Sequence, residues 1–150
     1  MAKESKTYHE LMYIDNTLRL RDVLNTMPNF VKDYFRAIEP TTSVKTRISY
    51  AYDIRIFFKF LLENNPVYKS YKITDFKVYD LEQISPVDIE EYQEYLKVYQ
   101  NDDKQITNAE KGLARKMSAL RSFYNYYYKH QMIEKNRSLF VDMPKIHDKA

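Results

Sequence analysis

Lys111, Arg115, Lys116, Ser118 and Arg121 crowd one short stretch of this chain. Cations and small hydroxyls are the side chains that meet phosphate oxygens. At helical spacing Lys111, Arg115, Ser118 and Ser122 fall on one side, with Arg121 at its edge. Leu113, Met117, Leu120, Phe123, Tyr124 and Tyr127 recur at intervals of three and four on the opposite stripe. A second set, Lys45, Thr46 and Arg47, follows Ser43, a good N-cap type, and so stands at a helix start whose amides favour anions. The chemistry expected of both sets is electrostatic grip on a nucleic-acid backbone, each neutralised phosphate releasing condensed counterions. Most of these residues position the nucleic acid; Arg115 or Arg121 is the choice for reaching a guanine edge in the major groove.

Each assignment has a structural alternative. Lys45 and Lys111 are also plain surface lysines, and Thr46 also supports its own helical turn. Lys116 projects close to the apolar stripe and can lie along the core instead, while Arg121 can brace a neighbouring helix. Arg55 is expected to pair with a nearby acid rather than touch DNA.

Other chemistry finds no residues to carry it. Gly112 is the sole glycine, which rules out the glycine loops that cradle nucleotides. His9, His130 and His147 are far apart and lack metal-ligand spacing. Cysteine is absent, so disulfides and thiolate metal sites are excluded. Serine, histidine and acid do not cluster as a nucleophile elbow requires. No catalytic residue, cofactor, metal or small-molecule ligand is expected. No apolar run is long enough to cross a membrane, and the polar start Met1 to Lys6 is not a secretory signal, so a cytoplasmic location is expected.

These side chains need helices to hold them. One glycine and five prolines in 150 residues make hairpins scarce, so an all-α fold is expected. The pattern predicts a helix over Tyr8 to Asn25 with Leu11, Ile14, Leu18 and Leu24 turned inward. A short helix carries Phe30, Val31, Tyr34, Phe35 and Ile38. A long one from Ser43 buries Tyr50, Ile54, Phe57, Phe58 and Leu61. Val67 to Ile84 reads as a loop with one helical turn near Thr74 to Val78. Ser85-Pro86-Val87-Asp88 is a helix start, with Ile89, Tyr92, Leu96 and Tyr99 buried and Asn101-Asp102-Asp103 at its end. Thr107 or Asn108 caps the helix of the opening motif, which runs to about His130; a last short helix involves Arg137 to Val141.

Charge is segregated along the chain. Lys104 to Lys129 holds six cations against Glu110, whereas Asp80 to Asp103 holds eight anions against Lys97, which implies one basic and one acidic surface. Two other functions suit such a chain. One is a protein-interaction module docking a basic partner on the Pro86 to Tyr99 helix. The other is an RNA-binding domain stacking unpaired bases on tyrosines.

Four blocks, in order, resemble the core-binding domain of tyrosine recombinases, the phage-integrase family. They are Ser43 to Glu63 (with Thr46, Tyr50, Asp53, Ile54, Arg55, Phe57 and Phe58), Ile84 to Leu96, Arg115 to Tyr127, and the Pro144-Lys145 exit. Asn136-Arg137 departs from the family's Asn-Pro. The resemblance implies a small orthogonal bundle of four core helices, SAM-like, over residues 42–143. An extra helical segment, 1–41, would precede it, and 144–150 would lead toward a catalytic domain absent from this chain. It implies a duplex-DNA partner, contact with other recombinase protomers, and no catalysis by this piece.

Overall fold

The computed structural model describes residues 6–101 and 103–145. The residues before Lys6, Asp102 and His147 therefore lie outside the described residues, as does the exit segment beyond Lys145. Among the described residues are six helices: α1 (Tyr8–Asn25), α2 (Val31–Ile38), α3 (Val44–Asn64), α4 (Val78–Gln83), α5 (Pro86–Tyr95) and α6 (Glu110–Lys129). Single 3-10 turns occupy Glu39–Thr41, Pro66–Tyr68, Ile73–Asp75 and Arg137–Phe140.

The expectation of a helical domain is met, with one addition. Val98–Asn101 (β1) and Lys104–Thr107 (β2) pair antiparallel, Tyr99 opposite Ile106 and Gln100 opposite Gln105. The α5 helix therefore ends at Tyr95, and Tyr99 is buried from a strand. Tyr99 packs its ring 5.2 Å from Tyr95. The backbone N–H of Asn108 donates to Lys97 O at 3.2 Å and closes the hairpin base. Neither Thr107 nor Asn108 caps α6; the N-cap is Ala109, which offers no side-chain bond.

Local chemistry sets the other boundaries. Ser43 Oγ accepts the Thr46 N–H at 3.1 Å and starts α3. Ser85 and Asp88 form a reciprocal capping box with proline in the first turn of α5. Between Val67 and Ile84 the chain is more ordered than a loop. Asp75 and Asp80 each accept a backbone N–H three residues back, from Lys72 and Lys77 at 2.8 Å, and the second of these bonds begins α4.

The core forms where α3 crosses α6. Ile54, Phe57, Phe58 and Leu61 meet Leu120, Phe123, Tyr124 and Tyr127, all buried. Phe30, Phe58, Phe123 and Tyr127 make edge-on or tilted ring contacts, each contributing about 0.5–1.5 kcal/mol beyond area burial. The buried tyrosines satisfy their hydroxyls on backbone carbonyls, Tyr124 on Leu81 at 3.0 Å and Tyr127 on Phe30 at 2.8 Å.

The α1 helix has the expected bounds but faces the other way. Asn16, Leu20, Val23 and Leu24 are buried, whereas Leu11, Ile14 and Leu18 are exposed. The sequence carries an apolar stripe on each side of this helix, and packing against α3 uses the one nearer the C-terminus. Arg55 on α3 fastens that end. Its Nη1 donates to Thr26 Oγ1 at 3.2 Å and its guanidinium lies over the Tyr52 ring, so it does not pair with an acid as expected.

Candidate nucleic-acid interface

The eight residues chosen from the sequence separate into exposed and internally engaged groups. Lys45, Lys111, Arg115 and Ser118 are exposed, and Thr46 is half-buried. Thr46 Oγ1 accepts from Ser43 Oγ at 3.0 Å, so part of its hydrogen bonding serves the helix start.

Three of the candidate cations are engaged within the fold. Arg47 is buried at 5% exposure, its Nη1 donating to Glu39 O (3.1 Å) and Thr42 O (2.6 Å). It closes the turn from α2 into α3, because the carbonyls left there need a donor that water cannot supply. Lys116 is buried at 7% exposure, its Nζ donating to Asn108 Oδ1 at 2.9 Å and standing 3.9 Å from Asp53 Oδ1. Arg121 donates from Nη2 to Val141 O at 2.7 Å and braces the segment after α6. Each hydrophobic stripe has a width, and a long cation at its margin is drawn to the nearest carbonyl or carboxylate.

Arg115 works in both directions. Its side chain is half exposed, yet Nη2 reaches Asp53 Oδ1 at 3.2 Å. Asp53 is buried, and burial raises its carboxyl above the usual range despite Arg115 and Lys116 pulling the other way. Burial also lowers the Lys116 ammonium, with Asp53 opposing. This cluster fixes α6 against α3. Asp53 lies nine residues from the α3 start and Arg115 five from the α6 start.

Two grooves flank α6. One, about 280 Å³, gathers Arg55, Lys59 and Arg115 with Tyr52, Tyr99 and Asp53. The other, about 610 Å³, is lined by Ser118, Arg121, Ser122 and Lys129 against Tyr34 and Ile38. Lys59 and Lys129 are cations that motif reading passed over; the spacing of Arg55 and Lys59, one turn apart on α3, was the available signal. The acidic surface is smaller than its sequence count, since Asp80 and Asp88 serve as helix caps while Glu90, Glu91 and Glu94 stay exposed.

Residues 31–131 match the phage integrase N-terminal SAM-like domain. The chain belongs to that family. A tyrosine recombinase XerC from Caldanaerobacter subterraneus subsp. tengcongensis is 32% identical over 118 residues. That match takes in 76% of this chain and 32% of the relative, so the chain spans about a third of the curated protein it resembles. No solved structure matches. The integrase-type match contains α2 through α6; α1 lies before it. Among the described residues no helix is long and apolar enough to cross a membrane.

Proposed function

We propose that this chain is the DNA-gripping domain of a site-specific tyrosine recombinase. It would hold duplex DNA through phosphates and position it for a catalytic domain elsewhere in a longer, cytoplasmic protein. In that assembly other recombinase protomers would be its partners. The contacts are assigned to Lys45 and Thr46 at the start of α3, and to Lys111, Arg115 and Ser118 on α6. Arg47, Lys116 and Arg121 are assigned to the fold instead.

One observation supports the reading: Lys45, Lys111, Arg115 and Ser118 are exposed on two helices that the Asp53–Arg115 pair joins. A backbone of regularly spaced phosphates suits that arrangement better than unpaired bases, because the aromatic rings of α3 and α6 near these residues are mostly committed to the core.

The test is duplex affinity across a salt series, using mixed-sequence DNA. Wild type should show a steep fall of log affinity with log salt, and the Lys45→Ala/Lys111→Ala variant a slope shallower by about two, near 0.9 per lost contact. Absence of duplex binding at low salt, or preference for single-stranded RNA, would refute the proposal.

A further inference from the structure

We infer that the groove between α1 and α2 is a second phosphate-binding surface, seating backbone phosphates that flank the contacts at α3. The inference rests on the duplex-binding reading above and adds a site to it. The groove measures about 590 Å³, and its lining includes Tyr13, Thr17, Arg21, Lys32, Arg36 and Arg47. Glu39 is the one carboxylate residue in that lining. Arg21 and Arg36 are exposed and Lys32 is half-buried, so three cations can reach a ligand without unfolding anything. Arg36 pairs with Asp33 at 3.2 Å, but the pair is exposed and i,i+3, which leaves its field largely available.

Position links this groove to the α3 contacts. Arg47, in its wall, immediately follows Thr46 and lies one helical turn from Ser43. The groove therefore reaches the first turn of α3 through Arg47, while the exposed Lys45 leaves that turn from a different side. The apolar residues beneath it, Leu20, Leu24 and Phe35, are already buried, so an apolar segment docking there would gain little. Cations at the rim, with the Tyr13 hydroxyl, select an anion with many acceptor oxygens, while the Thr17 hydroxyl donates to Tyr13 O at 2.7 Å.

Part of the site lies outside the family match. Arg21 sits on α1, which precedes the matched segment 31–131. The cationic groove exists because α1 packs along α3 and brings Arg21 opposite Lys32 and Arg36.

The experiment uses the 150-residue chain and a mixed-sequence duplex of about two helical turns. Arg21→Ala/Lys32→Ala should reduce the salt slope by about one to two while circular dichroism stays unchanged. Glu39→Gln should raise affinity about threefold, the order for one charge removed near a surface phosphate, and a gain cannot come from misfolding. Should Lys45→Ala/Lys111→Ala change the slope while both groove variants do not, the groove is no phosphate site. Should wild type fail to bind duplex at all, the duplex-binding reading fails and takes this inference with it. Protection of the groove by an acidic polypeptide and not by duplex would assign it to a protein partner and overturn the proposal.

Discussion

Asp53 on α3 accepts a hydrogen bond from Arg115 on α6 at 3.2 Å, while its other oxygen, Oδ2, is buried without a partner. The pair couples the two helices that carry the proposed DNA contacts. It also explains why Lys116 can lie inside the protein. That ammonium is held by Asn108 at 2.9 Å and by the same carboxylate, which offsets part of its desolvation. Asn108 in turn donates through Nδ2 to Leu96 O at 2.6 Å, so the cluster extends to the hairpin base. The small residue at 112 makes room: a Cβ there would meet Asn108 Oδ1 at 3.0 Å.

Asp53→Ala should destabilise the fold by roughly 2–3 kcal/mol, because it removes the acceptor for Arg115 and leaves Lys116 held by Asn108 alone. Lys116→Met should cost less, since Arg115 still meets the carboxylate. The double variant should fall short of the sum by about 1–2 kcal/mol. Urea unfolding of the four proteins measures this, and strict additivity would show that the two charges do not interact. The pH dependence has a defined sign. Folding raises the Asp53 carboxyl above its ordinary 3.8, so the stability this group contributes is fully present below that pH. It is lost as pH rises through the raised value. An Asp53→Asn variant, which mimics the protonated acid, should lack that decline.

Sequence reasoning did well where local rules decide and poorly where packing does. Ser43 and Ser85 announced their helix starts through side chains that act on their own first turn. The α1 bounds were equally readable, but its orientation was not. Two apolar stripes compete on that helix, and only the shape of α3 selects Leu20 and Val23 over Leu11 and Leu18. The hairpin escaped notice because neither of its strands contains a glycine turn signal or a clear apolar alternation; its stability comes from Tyr99 stacking on Tyr95 and from Asn108. For the candidate contact residues the sequence indicated the helices that carry them, not their partners in the fold. Spacing shows which face a cation leaves from, not whether a carbonyl or carboxylate waits within reach. Arg47 and Lys116 found such partners, and Lys45 and Lys111 remained in solvent.

Alkaline pH should unfold the protein cooperatively. Tyr34, Tyr68, Tyr92, Tyr124 and Tyr127 are buried, and burial raises every one of these phenols above the ordinary 10.0, Tyr68 to about 12. Their folded values exceed the unfolded one, so the stability they contribute is intact below pH 10 and lost as pH climbs toward the raised values. Between its unfolded and folded values each phenol removes up to about 1.4 kcal/mol per pH unit, against a total stability of only about 5–15 kcal/mol. Helical circular dichroism should therefore collapse between pH 10 and 12, in step with a rise in tyrosinate absorbance. A gradual absorbance rise with helicity retained would contradict this.

Arg121 should prove to be a strap rather than a DNA contact. Its Nη2 donates to Val141 O at 2.7 Å and lies 3.5 Å from Ser138 O, while Nε is buried without a partner. Asn125 adds a second tie, accepting from Asn136 Nδ2 at 2.6 Å, and Asn136 Oδ1 accepts from Ser138 at both N and Oγ. Together they hold the chain after α6 against the helix and fix where Met143 and Pro144 depart. Arg121→Ala should cost about 1.5–3 kcal/mol, the range for a hydrogen bond to a charged group. Limited proteolysis should then cut within residues 137–145, where wild type resists. Duplex affinity and its salt slope, corrected for the folded fraction, should not change, since a guanidinium committed to two carbonyls neutralises no phosphate and so releases no counterion. A slope reduced by about one, with the proteolysis pattern unaltered, would return Arg121 to the DNA-contacting set.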